Sequence, residues 1–354
     1  MNLNEIKKQY DHLDERNEQV GIPINYLLFH LDETFSKSSD KLLADYLDSY
    51  SDVKKWIIVS DYVIGDKKKP NDTVVFSIIP GDVDIEKIFS TIDRMAPVDI
   101  KKTREVSGEF LEFLSNGPVF NICIKLNKNR KLHSDERSYH NAKINSIIAQ
   151  LEIWCRTTPE RQSDYIQSIK KLKAVQKIIN SPAPNYKQFR DIEVVSTLAA
   201  YFMAKITSRI NTKLIGWFSD RDAMLSFKHD KIGNYLFTCT EYLHYTITLN
   251  SQNEYHGEIT FGVPEAEGKM WYDSLIRIPD LLAGTFADYD YKDNKLTHDK
   301  YVPVVENLFT AEKRNIFFRL DFIPKPESAR LTWQKQSDIS DGIESPNRLL
   351  CQFK

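Results

Sequence analysis

Trp56-Ile57-Ile58-Val59 and Thr73-Val74-Val75-Phe76-Ser77-Ile78-Ile79 are short apolar runs rich in β-branched and aromatic residues. Between them lies Gly65-Asp66-Lys67-Lys68-Lys69-Pro70-Asn71-Asp72, a turn by its Gly, Pro and Asn content. Both runs read as strands, and the turn sets them antiparallel. Upstream, Tyr26-Leu27-Leu28-Phe29-His30-Leu31 follows Pro23 and reads as another strand, ending at Asp32; a polar, helix-compatible stretch from Ser38 to Tyr50 comes next. The three runs together predict an antiparallel meander.

Downstream the apolar period changes from two to between three and four. Ile85, Ile88, Phe89 and Ile92 share one face of a helix over Asp84–Met95, and a short helix is expected from Glu105 to Leu114. Val119 to Leu126 reads as a strand. Three long helices follow, marked by Ile144, Ile147, Ile148, Leu151 and Cys155, by Tyr165, Ile169 and Leu172, and by Ile192, Val195, Leu198, Phe202, Ile206 and Ile210. Lys213 to Ser219 returns to strand and ends at Asp220. A helix from about Gly233 to Tyr245, a strand from Gly257 to Val263 and a helix within Lys269–Ala287 complete the pattern, and Tyr301 to Phe322 mixes both signals.

The expected fold class is therefore α/β, a mixed sheet flanked by helices with a long helical insertion over residues 134–211. Residues 1–22 read as a charged helical extension, 23–323 as the main domain, and 324–354 as a loosely held tail.

Composition bounds the function classes. The 354 residues are 41% hydrophobic and 28% charged, as expected of a chain with a packed core. Net charge is −2, but residues 125–177 carry 12 Lys or Arg against 5 acids, and residues 264–300 carry 8 acids against 5 bases. That asymmetry suits an enzyme holding a polyanion near clustered carboxylates; solvated helix faces give the same pattern. Cys123, Cys155, Cys239 and Cys351 form no Cys-x-x-Cys pair, which argues against a zinc site or a disulfide framework. The polar stretch Asn2 to Gln19 is no secretory signal, and no apolar run approaches bilayer length, so a cytoplasmic chain without membrane association is expected.

The informative feature is where acids fall relative to strands. Asp32 and Asp220 each follow an apolar strand, at the edge where open α/β sheets place ligands. Asp280 lies in the late helix, with the small residues Ala283 and Gly284 on the same face, so that the helix can approach the sheet. Convergent carboxylates need cations, and Mg²⁺ or Mn²⁺ between carboxylates and phosphates supports phosphodiester hydrolysis. Each acid alone is also an ordinary turn former or helix cap, and Pro279-Asp280 reads as a helix opening.

The motifs Leu31-Asp32-Glu33-Thr34-Phe35, Trp217-Phe218-Ser219-Asp220-Arg221-Asp222 and Ile278-Pro279-Asp280-Leu281-Leu282-Ala283-Gly284 resemble, in order and spacing over about residues 24–290, a prokaryotic family called domain of unknown function 3800. That family is regarded as ribonuclease H-like, with an Asp-Glu-Ser-Gly strand end, a later acidic strand end and a helix bearing Ala-Asp-Leu-Leu-Ala-Gly. The resemblance implies a metal-dependent nuclease of DNA or RNA, of the kind a mobile-element or antiviral system uses, with Asp32, Asp220 and Asp280 catalytic. It makes Glu105 a fourth catalytic candidate and Glu33 and Asp222 assisting metal ligands. Lys128, Arg130, Lys131, Lys170, Lys171 and Lys173 are the candidate nucleic-acid contacts, and the helical insertion is also a candidate protein-partner surface. Thr34-Phe35 and Pro279 depart from the family pattern and favour the alternative of a catalytically degenerate binding module. His30, His133 and His140 lack metal-ligand spacing, while Tyr242, Tyr245 and Tyr255 beside His244 and His256 suit base stacking or plain packing.

Overall fold

The computed structural model describes residues 21–22, 24–82, 84–251, 255, 257–264, 268–309, 314–323 and 328–333. Most of the expected N-terminal extension and C-terminal tail, with Cys351 and His256, lies outside the described residues.

Among the described residues the strands are β1 (Lys55–Val63), β2 (Asp72–Pro80), β3 (Phe120–Leu126), β4 (Leu214–Ser219), β5 (Glu258–Gly262), β6 (Asn315–Ile323) and β7 (Ser328–Trp333). They form one mixed sheet in the order β5-β4-β1-β2-β3-β6-β7. The hairpin expected from the sequence is present, with Ile58 opposite Ile78 and Ser60 opposite Phe76. Gly65 closes β1 with φ at +77°, a conformation that suits glycine, and its N–H donates to Asp72 Oδ1 at 2.9 Å. β4 lies parallel to β1, β5 parallel to β4, and β6 parallel to β3. β7 corrects the reading of 324–354 as a tail throughout, because residues 328–333 pair antiparallel with β6.

The longer helices are α1 (Tyr26–Ser38), α2 (Asp40–Asp48), α3 (Ile85–Met95), α4 (Gly108–Asn116), α5 (Glu136–Thr157), α6 (Gln162–Ile179), α7 (Tyr186–Arg209), α8 (Tyr235–Asn250), α9 (Asp273–Asp288) and α10 (Val302–Leu308). One apolar core joins α1, α2 and α5 to α8 to one sheet face, through Trp56, Ile58, Phe76, Ile122 and Trp217. A second core joins α3, α4, α9 and α10 to the other face, through Val59, Val75, Cys123 and Phe317. The insertion expected at 134–211 is thus three packed helices, α5 to α7. Among the described residues no helix is long and apolar enough to cross a membrane.

The element at Tyr26 is helix, not strand. Asn25 caps it, its side chain accepting from Leu28 N at 3.2 Å, and Leu27, Leu28, Leu31 and Phe35 form its buried stripe. The six-residue run Tyr26–Leu31 is too short to distinguish the two periods. The deciding signals are the polar cap before it and Phe35 four residues beyond Leu31.

α9 is the element that positions the candidate site. Leu275, Ile278, Leu281, Leu282 and Phe286 are buried along it, and it packs across β1, β2 and β3. Thr73 Oγ1 donates to Ala283 O at 2.9 Å, and Asn71 Nδ2 donates to the carbonyls of Phe286 (2.9 Å) and Tyr289 (2.6 Å). Ala283, buried against the sheet, is the small residue at this approach; Gly284 does not face the sheet as expected, and a side chain on it would meet Tyr301 instead. Pro279 does not open the helix. It lies inside α9, which begins at Asp273, so Leu275 O lacks its usual helical donor.

Candidate active site

Side-chain alternation on β1 sends Trp56, Ile58 and Tyr62 toward one core and Ile57, Val59 and Val63 toward the other, the side of α9. Asp61, in the second register, therefore faces α9, and it is buried. β4 runs parallel, with Ser219 beside Ser60, and Asp220 N donates to Ser60 O at 2.9 Å. Phe218 faces the α9 core, and Asp220, two residues on, follows the same side. Two adjacent strands thus each present a Ser-Asp step at their C-terminal ends. Beneath them, Trp217 Nε1 donates to Ser60 Oγ (2.8 Å), Ser60 Oγ bonds Tyr62 Oη (2.6 Å), and Ser219 Oγ donates to Tyr62 Oη (3.1 Å). This buried network fixes the register that brings the acids together.

Asp280 completes the cluster from α9. The Asp61 side chain lies beside that of Asp280, and hydrogen bonding with it works to lower the Asp280 pKa. Burial pushes the Asp61 carboxyl well above the usual carboxylate range, and the charges of Asp280 and Asp220 push it further. Asp280 is raised to about 6, first by burial and then by Asp99 and Asp220, against the opposing pull of Lys101. Burial also raises Asp220, which the Arg221 N–H and Lys101 partly offset. Lys101 is the cation that faces the cluster. Burial opposes its charge, yet Asp280, Asp61, Asp99 and Asp220 outweigh burial and hold its pKa above the usual value. Its loop is fixed by Asp99 Oδ1, which accepts from Lys101 N at 2.7 Å, and by Lys300 Nζ, which donates to Ile100 O (2.6 Å) and Thr103 O (3.2 Å).

Of the residues expected from the sequence, Asp220 and Asp280 come together and Asp32 does not. Asp32 sits in α1 on the opposite side of the sheet, where Tyr201 Oη donates to its Oδ1 (3.0 Å) and Lys205 Nζ lies 3.3 Å away. The misread strand is the reason: the first strand is β1, and its acid is Asp61. The signal was present, since extending Trp56–Val59 by two residues yields Ser60-Asp61, the same step as Ser219-Asp220.

Glu33 is exposed and pairs with Lys37 (2.8 Å), and Glu105 is exposed in the loop after Lys102. Asp222 caps the helical turn Ala223–Ser226, accepting from Met224 N at 2.7 Å, and is raised first by burial and then by Asp191 and Asp220. Arg130 is not available to a polyanion, being buried between Asp72 (2.6 Å) and Asp191. Lys128 Nζ donates to the carbonyls of Asp66 (2.6 Å) and Lys69. Lys131, Lys170 and Lys173 are exposed, and Lys171 is half-buried beside Gly233. His140 is buried against Glu193, Tyr242 donates to Ser168, and the Arg161 guanidinium lies over the Tyr245 ring, so these are packing groups.

Among the described residues no group of three or more His, Cys, Asp or Glu is placed so that it could hold a metal ion. No family model, curated protein or solved structure matches the chain.

Proposed function

We propose that the chain is a divalent-metal-dependent nuclease built on a ribonuclease H-like core, with Asp61, Asp280 and Asp220 as its acidic site. The observation that carries this reading is that Asp61, Asp280 and Asp220, from two strand ends and a helix, lie near enough for Asp280 and Asp220 to raise the Asp61 pKa and for Asp220 to raise that of Asp280. Structural carboxylates are paired by cations or donors, whereas burial raises all three of these and repulsion adds to it at Asp61 and Asp280. The strand order supports the same reading: three antiparallel strands, extended at the first by two parallel strands, put β1 and β4 side by side. The resemblance to the domain of unknown function 3800 family then rests on Asp61 in the first position, in place of Asp32.

The donor set fits Mg²⁺ or Mn²⁺. It is all carboxylate oxygen, and Mg²⁺ takes one or two carboxylates, several waters and substrate phosphate oxygens, so a closed protein cage is not required. Asp61 and Asp280 would hold the ion, with Asp220 beside them. The ion, when bound, supplies an activated water and neutralises charge on the phosphate. Both raised carboxyls must be ionised to bind it. Lys101 keeps Asp280 and Asp220 ionisable near neutral pH and faces the space a phosphate would enter.

The test is cleavage of single- and double-stranded DNA and RNA with Mg²⁺ or Mn²⁺. Asp61→Asn and Asp280→Asn should each lose at least about a hundredfold in rate while remaining folded. Full activity in both variants, or no metal-dependent cleavage by the wild type on any substrate, would leave the fold as a non-catalytic binding module.

A further inference from the structure

Trp271 is 58% exposed. It stands beside the acid cluster. Its ring meets Phe218 at 4.9 Å, Tyr272 at 5.4 Å and Phe89 at 6.0 Å, all near-perpendicular, so the indole is held in place while more than half of the residue stays in solvent. Gly262 on β5 leaves room for Phe218 to lie there, because a side chain at that position would overlap the ring. The next residue, Tyr272, donates to Ser219 O at 3.2 Å, which ties the Trp271 backbone to the residue preceding Asp220. Asp273 is close enough to raise the pKa of Asp220.

Past Asp220 the chain leads through Arg221 and Asp222 into a cavity of about 580 Å³, bounded also by His229, Val263 and Pro264. Val263 is 54% exposed there. Arg221 Nη2 donates to Gly268 O at 2.5 Å, which holds the guanidinium at the rim. An anchored indole on one side and an apolar-walled cavity with a guanidinium and an imidazole on the other flank the acids at the ends of β4 and β5.

We infer that the site takes an unstacked single strand of nucleic acid, with one base on Trp271 and a neighbouring nucleotide in the Arg221–Val263 cavity. This rests on the nuclease reading of the acid cluster. A flat base needs an aromatic face of this kind, and the sugar-phosphate between two such nucleotides would cross Asp220. A duplex keeps its base faces stacked and offers none to the indole. Arg221 and His229 meet phosphate charge; Asp222 opposes it, so occupancy depends on the divalent cation.

The experiment is fluorescence anisotropy of the full chain in Ca²⁺ with short labelled oligothymidylate, oligouridylate and a duplex of equal length. The single strands should bind more tightly than the duplex. Trp271→Ala should weaken single-strand binding about tenfold and leave duplex binding unchanged, Trp271→Phe should restore most of the loss, and Val263→Asp should weaken the same complexes. Thermal melting of each variant confirms that it is folded. Unchanged single-strand affinity in folded Trp271→Ala, or a wild type that prefers duplex or binds neither, overturns the inference. Cleavage separates the two readings. If wild type cuts nucleic acid and Trp271→Ala binds normally, the nuclease stands without this subsite. If Trp271-dependent binding occurs without cleavage, the subsite stands and the nuclease reading falls.

Discussion

Asp280 and Asp288 lie eight residues apart on the same helix, α9, and their surroundings are opposite. Asp288 accepts from Lys69 Nζ (2.8 Å), from Thr297 N (2.9 Å), from Thr297 Oγ1 and from His298 N (3.2 Å). Burial works against its charge, but the Lys69 and Thr297 hydrogen bonds win and lower its pKa. Asp280 has Asp61 and Asp220 for neighbours, and its pKa rises to about 6. The C-terminal end of the helix is stitched to the fold by a satisfied carboxylate. Its middle holds a carboxylate at a cost to stability, the pattern on which the proposed metal site rests.

The largest effect that tests this contrast is at the satisfied end. Asp288→Ala strands the Lys69 ammonium and the donors of Thr297 and His298, and should destabilise the chain by about 3–5 kcal/mol in denaturant unfolding. A loss near zero would mean that Asp288 is no anchor. At Asp280 the sign reverses. A carboxyl whose folded pKa is raised binds more protons folded than unfolded, so stability falls as pH rises from the unfolded value, about 4, through about 6. For Asp288, with a lowered pKa, stability is present above the unfolded value and is lost as pH falls through the folded one. Asp280→Asn should therefore remove the decline between about pH 4 and 6, and Asp61→Asn should remove the fall in stability that its own raised carboxyl contributes as pH rises. At pH 8, Mn²⁺ should raise the melting temperature of wild type and leave both variants unmoved; equal shifts in all three would place the ion elsewhere.

Much of the architecture was legible in residues 56–79 and in the apolar spacing of the helices, because alternation and 3.6-residue periods are imposed by burial itself. The candidate site was legible in part. Asp220 and Asp280 stand out beside long, strongly patterned elements. Asp32 misled because Tyr26–Leu31 is too short a run for its period to be read, and a polar residue after it then looks like a strand end. Arg130 misled in another way: charge composition does not reveal that a guanidinium is buried between Asp72 and Asp191. Lys101 and Trp271 carried no local signal, since their importance arises where α9 and the loop after α3 meet the sheet.

A smaller effect is expected at Lys101. Its cation lowers the pKa of Asp280, Asp61 and Asp220 alike, so Lys101→Met should raise all three. The acid limb of metal-dependent cleavage, or of Mn²⁺ binding, should move to higher pH by about one unit or less, and Lys101→Arg should restore it. A fall in rate without a change in the pH profile would assign Lys101 to substrate contact rather than to tuning the acids.

The smallest effect is expected at Asp32, and it decides between two first-strand acids. Asp32 is buried in α1 with Tyr201 and Lys205 as partners, across the sheet from Asp61. Asn at this position keeps an oxygen for the Tyr201 hydroxyl and loses the charge facing Lys205, so Asp32→Asn should cost about 1 kcal/mol of stability. Cleavage and the Mn²⁺-induced melting shift should stay within about twofold of wild type, because screening and distance leave little coupling through the sheet. If Asp32→Asn abolished cleavage while Asp61→Asn did not, the acids would have been assigned to the wrong side of the sheet, and the contrast between Asp280 and Asp288 would say nothing about catalysis.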